Sequence, residues 1–248
     1  MASILDRYGI KEVADVTFYH IDEMGKPDYP VLYLDTLKVS TIEQTAETTD
    51  ARGGKGNPKL VSWDYGKEIT LTLEDALFSM KSMQIMQGAK DEDVSDGTGK
   101  TEIDHTGKGI VAKHDASEDY YVPGFEESGV TYKYYDEKGN KIEALGADHL
   151  GTTVIVHWVK EHEAETISIS SDTFPGTYKI TGDTYARNQA TGENEYFQFI
   201  IPLAKINPEQ TITMQADGDP STFSMTVRVL RPADGNMLQL IKYNSAEA

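Results

Sequence analysis

Two stretches of the chain hold residue types that could do chemistry, and six histidines could add a third. Gly97-Thr-Gly-Lys-Thr101 has the glycines, lysine and threonine of a phosphate-cradling loop. The full pattern needs a further glycine five residues before Gly99, an apolar strand before it and a helix after it. Val94 occupies that position and neither flanking element is evident, so nucleotide binding is not expected. Asp91, Asp93, Ser95 and Glu102 take the first, third, fifth and last ligand places of a calcium loop. Such a loop turns sharply on a glycine at its sixth place. Asp96 stands there, with Gly97 one residue late, so the segment reads as an acidic solvated loop, and weak calcium binding is left open. His157 and His162 are five apart, which puts them on opposite faces of a strand. His105 and His114 lie in an acidic region without a third partner, so the histidines read as satisfied side chains and no metal ligand is assigned. No Gly-x-Ser-x-Gly elbow is present. With 41 acids no particular carboxylate pair can be singled out for glycosidase chemistry, and a nucleophile–base pair is recognisable only by geometry. No enzyme activity and no cofactor are expected.

The elements that would position any site are mostly strands. VADVTFYHI (13–21) and VLYLDTLKV (31–39) read as strands separated by the turn-rich Asp22–Pro30. Thr41–Thr49 reads as a partly exposed strand. It enters the loop Arg52-Gly-Gly-Lys-Gly-Asn-Pro-Lys59, whose three glycines suit positive φ or close chain approach. WDYGKEITLTL follows, with Ile69, Leu71 and Leu73 alternating with Thr70 and Thr72 at the period of a half-buried strand. Ala76, Leu77, Met80 and Met83 then recur at helical spacing, with Thr72 and Asp75 in capping-box-like positions and Gly88 as a C-cap. The methionine face Met80, Met83, Met86 reads as core packing. Residues 89–150 are rich in acids, Gly and Ser, and only GIVAKH, YYVPGF and VTYKYY resemble strands. They read as an insertion or peripheral subdomain. Beyond it TTVIVHWVK, ETISIS, GTYKITGDTYARN, EYFQFII, QTITMQA and STFSMTVRVL are candidate strands. Gln189–Asn194 and Asp217–Pro220 are candidate turns, and Pro202 should end its strand or mark an edge. The expected division is 1–88 with 151–242 as one β core, 89–150 inserted, and 243–248 as a loose tail.

Composition bounds the function. The chain has 248 residues, 14 Tyr, 21 Gly and 9 Pro, enough for a large β domain joined by tight turns. A formal net charge of −18 argues against a nucleic-acid reader, which needs clustered Lys and Arg on phosphates. Such a surface would still let nucleic acid slide past without sticking. With no cysteine there is no disulfide framework and no thiolate nucleophile. MASILDRYGIKEVADV lacks a basic region followed by an apolar run, so no signal peptide is expected. No apolar stretch is long enough to span a membrane. Arg52, Lys55 and Lys59 make the glycine loop a local basic spot. It can be a flexible hairpin connection, or a docking loop that meets an acidic neighbour and fixes register.

Gly53-Gly54-Lys55-Gly56-Asn57 before an alternating strand, and Leu73-Glu74-Asp75-Ala76-Leu77 at a helix start, resemble a segment of bacteriophage tail tube (major tail) proteins. Pro175–Ile206 and the following ITMQADGDPSTFSMTVRVL are similar to the same family. The resemblance spans roughly 40–88 and 150–232 and leaves the acidic region unmatched. It implies a mainly β fold, a tail-tube-type β-sandwich or barrel with one flanking α-helix. It implies a virion subunit that polymerises with itself as stacked hexameric rings into a DNA-conducting tube, assembled in the bacterial host cytoplasm. Sheath, tape-measure and baseplate proteins would be its other partners, and DNA would only pass through. On this reading Arg52, Gly53, Gly54, Lys55, Gly56, Asn57 and Lys59 are the candidate subunit-interface residues. Two alternatives are a terminal or baseplate ring component of the same fold, and a carbohydrate-binding β-sandwich using Tyr120, Tyr121, Tyr132, Tyr134 and Tyr135.

Overall fold

The computed structural model describes residues 7–22, 25–77, 79–89, 100–115, 119–209 and 222–243. Within these the elements are β1 (Tyr8–Ile10), β2 (Asp15–Ile21), β3 (Pro27–Leu34), β4 (Leu37–Arg52), β5 (Lys59–Asp75), α1 (Met80–Gln87), β6 (Lys100–Ile110), β7 (Ala112–Lys113), β8 (Tyr120–Tyr121), β9 (Tyr132–Tyr135), β10 (Lys141–Ile142), β11 (Thr153–Glu163), β12 (Thr177–Asn188), β13 (Asn194–Ile206), β14 (Phe223–Val229) and β15 (Gln239–Tyr243). The chain is mainly β, with one α-helix among the described residues. It divides into two compact units, 1–93 with 167–248, and 94–166.

The first unit is one nine-stranded antiparallel sheet in the order β3-β2-β12-β13-β14-β5-β4, with β1 added on β12 and β15 on β13. Its two edge strands, β3 and β4, are consecutive in sequence and joined only by Asp35 and Thr36. A two-residue link between opposite ends of a sheet requires the sheet to roll over. No hydrogen-bonded closure forms among the described residues, so the barrel is not closed. Rolling places Val16, Phe18, Leu71, Leu73, Ile180, Ile201, Ile206 and Val227 in one core, each under 2 % exposed. Each such side chain contributes about 1.5–3 kcal/mol by leaving water. The expected strand over 31–39 is two strands, broken at Asp35-Thr36. There Thr36 donates from its hydroxyl to buried Asp75 (2.5 Å) and its carbonyl accepts from Ala76.

The helix begins later than the spacing predicts. Ala76 and Leu77 lie outside it, and Asp75 accepts from the Leu77 N–H at 3.2 Å instead of serving a capping box with Thr72. Ser79 is the N-cap, accepting from Ser82 N while the Ser82 hydroxyl oxygen accepts from Ser79 N. A serine therefore does at N3 what Glu or Gln usually does. Ile85 and Met86 turn into the core, while Met80 and Met83 do not. Gly88 ends the helix in the left-handed region at φ 73°, donating to Gln84 and Ile85.

Pro202 neither ends β13 nor sits on an edge; β13 runs through it to Ile206. Its missing N–H is accommodated where both ladders change. The pairing with β12 shifts register between Tyr178 and Ile180. On the other side the partner passes from β15, along 196–200, to β14, along 204–206. ETISIS is not a strand beyond a single bridge at Ile167, and QTITMQA and Asp217–Pro220 lie outside the described residues. Tyr243, placed by sequence in a loose tail, ends β15, stacks on Tyr196 at 5.5 Å and donates to Asp183. Lys242 beside it pairs with Glu195 and donates to the Tyr8 hydroxyl, which latches β1 and β15 to β13.

The second unit pairs β10-β9-β11-β6 in one antiparallel sheet and β7-β8 in a small ribbon. TTVIVHWVK, assigned by sequence to the core beyond residue 150, is β11, and it pairs along its whole length with β6 in this unit. The core is Val111, Val122, Val154 and Val156, flanked by Phe125, Tyr132, Tyr134 and Trp158. Gly107 and Gly109 seat that layer. A Cβ at Gly109 would lie 2.1 Å from Val122, and one at Gly107 would lie 2.7 Å from the Phe125 ring.

Gly88, before the inserted residues, and Phe174, after them, meet within the first unit: a Cβ on Gly88 would lie 2.3 Å from the Phe174 backbone. Replacing residues 94–166 by a short Gly-Ser linker should therefore leave the nine-stranded sheet able to fold, read as a cooperative thermal transition of the shortened chain. Insoluble or molten product would show that the sheet needs the insertion.

Candidate assembly interface

The surface that stands out is the far end of the β4–β5 hairpin. Near the body β5 alternates, with Ile69, Leu71, Leu73 and Asp75 buried, but every residue from Lys59 to Glu68 is exposed. The opposing part of β4, from Glu43 to Thr49, is exposed too. The change coincides with a bulge. Thr45 pairs with Glu68 and Glu47 with Tyr65, so Ala46 faces both Gly66 and Lys67, and Gly66 takes φ 62°. A bulge with glycine in the left-handed region bends and twists a ribbon. Beyond it the hairpin continues for about six residues per strand, or about 20 Å.

This arm has two unlike faces. Val61, Trp63 and Tyr65 pair with Ala51, Thr49 and Glu47 and so share one face. Trp63 is 54 % and Tyr65 53 % exposed, and Leu60 at the tip is 63 % exposed. On the other face polar groups satisfy one another across the strands: Thr48 donates to Asp64 at 2.8 Å and Ser62 to Asp50 at 2.7 Å. A lone two-stranded ribbon is marginal in water, and an exposed aromatic row on it is what a partner's surface would cover. Sequence reading missed this row, although Val61-Ser-Trp-Asp-Tyr65 has period-2 alternation.

The glycine loop forms the arm's tip. Gly54 (φ 87°), Gly56 (φ 84°) and Asn57 (φ 50°) all lie in the left-handed region. Asn57 donates to the Gly54 carbonyl and Gly53 to the Pro58 carbonyl, which closes the turn. Arg52 and Lys59, expected to face a neighbour's acids, both pair with Asp50 of the same chain, at 3.3 and 2.8 Å. Lys55 remains the cation displayed at the apex. Lys59 first, then Ser62 and Arg52, hold the Asp50 carboxyl below the usual carboxylate range. A lowered folded-state value means the stabilisation is present above the ordinary Asp range and is lost as pH falls through the lowered one. The tip should thus be ordered at neutral pH and loosen in acid, and Asp50→Asn should loosen it at pH 7. Amide exchange of residues 52–59 checks both, with little change expected at β12 or β13.

Free sheet edges offer a second contact. β3 carries Pro27 and Pro30, which cannot donate, whereas β4 presents sixteen residues without a proline or glycine. Prolines blunt an edge and an unblunted one invites pairing.

The other sequence candidates do not converge. Gly97 to Gly99 of the phosphate-loop-like run and most of the calcium-loop-like run lie outside the described residues, while Lys100, Thr101 and Glu102 belong to β6. His157 meets Asp104 at 3.0 Å, and His114 stacks on Tyr121 at 4.0 Å. No three His, Cys, Asp or Glu among the described residues are placed to hold a metal. Tyr120, Tyr132 and Tyr134 pack on the second unit's core and form no open platform. No helix among the described residues is long and apolar enough to cross a membrane.

No curated protein matches the chain. Residues 8–242, covering both units, match the profile of the YomU/Tube protein family. A rolled sheet, an uncovered amphipathic arm and an open β4 edge suit a part that is completed by other copies. The chain belongs to the YomU/Tube protein family and is a phage tube-type structural protein.

Proposed function

We propose that the chain is the tail tube subunit of a phage, polymerising as stacked hexameric rings into a tube that conducts DNA. The observation that carries this reading is the arm: about 20 Å of hairpin whose aromatic face, Val61, Trp63 and Tyr65, is uncovered in the protomer. Around a ring the rolled sheets would meet edge to edge, with the β4 edge pairing to a neighbour, and the arm would reach an adjoining copy. The tip residues Arg52, Gly53, Gly54, Lys55, Gly56, Asn57 and Lys59 fix the arm's end. Lys55 is the cation offered to an acidic neighbour, while Arg52 and Lys59 hold the tip in shape through Asp50. An excess of acids, with net charge −18, favours a lumen that phosphates do not stick to. The tube works in the virion tail after assembly in the bacterial host, beside sheath, tape-measure and baseplate proteins, and catalyses nothing.

Electron microscopy of the purified chain over a range of concentrations tests this. Tubes or six-fold rings are expected. Monomers at every concentration, with no tube in the particle, would refute it.

A further inference from the structure

We propose that His105 and His162 form a cross-strand binding site for a borderline divalent cation of the Zn2+, Ni2+ or Cu2+ class, which staples β6 to β11. The sequence separates these residues widely, and the β6–β11 register brings them onto one face. His105 lies opposite Trp158, and His162 lies opposite Thr101, with the Ile103–Lys160 pair between them. The two rings reach toward each other until their Nε2 atoms are 3.1 Å apart.

That distance suits two imidazoles on one ion. With metal–nitrogen bonds of about 2.0–2.1 Å, it corresponds to a ligand–metal–ligand angle of about 100°, between octahedral and tetrahedral values. The ring positions are also held in advance. His105 stacks on Trp158 with centroids 5.1 Å apart and planes 15° apart, and it meets His162 edge to face at 5.2 Å. Pre-set ring orientation lowers the ordering cost of binding.

The nearest cation is disposed of. Lys160, on the same face, reaches away to Glu127 at 2.5 Å. Glu161 and Lys100 pair with each other on the opposite face, as do His157 and Asp104. The pair could instead share one proton in a simple hydrogen bond, with one ring the Nε2–H tautomer. A bound cation asks for both rings in the Nδ1–H tautomer, leaving two Nε2 lone pairs for the metal. Water would supply the other ligands. Imidazole ligands select zinc, copper and nickel over calcium or magnesium. The site stands near the start of β6 and the end of β11, the two strands by which the chain enters and leaves the second unit. A cation there would clamp that entry and stabilise the folded unit by mass action.

Trp158 makes the test direct, because the chain has only two tryptophans. In a Trp63→Phe background with no purification tag, Ni2+ is titrated against Trp158 fluorescence. The expected result is saturable quenching with one ion per chain, reversed by Zn2+, which competes without quenching. His162→Ala, which leaves the His105–Trp158 stack in place, should weaken Ni2+ binding at least tenfold, on the order of the losses seen for disrupted metal sites. His105→Ala should do the same, and His157→Ala, on the other face, should not. Quenching that fails to saturate, that Zn2+ does not reverse, or that persists unchanged in His162→Ala would overturn the site. Far-UV circular dichroism of each variant separates a lost ligand from a lost fold.

Discussion

The double variant Trp63→Asp/Tyr65→Asp is expected to fold as the parent does and to form no tubes. Both side chains are more than half exposed in the protomer and lie on an arm outside the core, so their replacement should change unfolding free energy by within about 0.5 kcal/mol. Assembly is a different matter. Aromatic anchors at the centre of an interface typically cost about 2 kcal/mol or more each when removed. Two of them, repeated at every arm, raise the concentration needed for assembly by roughly a thousandfold. Aspartate adds a buried charge without a partner, so the effect exceeds that of alanine. Sedimentation velocity and negative-stain microscopy at matched concentration read the loss, and thermal melts check the fold. Thr48→Ala/Asp64→Ala, which removes both partners of a hydrogen bond on the polar face of the same arm and leaves the Asp50 cluster intact, serves as the control and should still polymerise. If the aspartate variant forms tubes at the parent's concentration, the aromatic face is not the contact.

Much of the sheet was legible because its inward residues obey period two. Ile69, Leu71 and Leu73 mark β5 unambiguously, and the β12–β13 hairpin announces its turn at Gln189–Asn194. What alternation does not show is whether the apolar face has anything to lie against. Val61, Trp63 and Tyr65 repeat as regularly as Ile69, Leu71 and Leu73, yet one set is exposed and the other buried. The residue that separates them is Gly66, and a glycine within a strand is an ambiguous sign until its register is known.

β6 was invisible for the converse reason. Its inward positions include Gly107 and Gly109, which have no side chains to count, because Phe125 and Val122 fill that volume from another segment. The sequence pattern starts helix α1 a turn early because Thr72 and Asp75 mimic a cap, while the working box uses two serines, Ser79 and Ser82. The tip's basic residues read as a unit in the sequence, but charge alone does not say that Asp50, two residues before Arg52, claims two of the three. The His105–His162 pair required the β6–β11 register, and no local pattern in either strand predicts that register.

Gly88→Ala should strongly destabilise the first unit. Two costs coincide there. The backbone sits at φ 73°, where an L side chain loses about 1–2 kcal/mol. The new Cβ would also stand 2.3 Å from the carbonyl carbon of Phe174 and 2.6 Å from the nitrogen of Pro175. Those are backbone atoms, so no rotamer change relieves the contact, and the segment leading into β12 must shift at a cost of about 1–3 kcal/mol. Together they remove about 2–5 kcal/mol and lower the unit's melting temperature by about 5–15 °C. Two further variants separate the terms. Gly88→Asn tolerates the left-handed backbone but keeps the Cβ, so it should recover only the smaller share. Gly54→Ala at the arm tip, with φ 87° and no atom within 4 Å, carries the backbone term alone. Its loss should be about 1–2 kcal/mol and confined to the arm. A Gly88→Ala protein that melts with the parent would mean the 174–175 backbone yields freely. The contact between Gly88 and residues 174–175 would then be a loose one and not a packed joint.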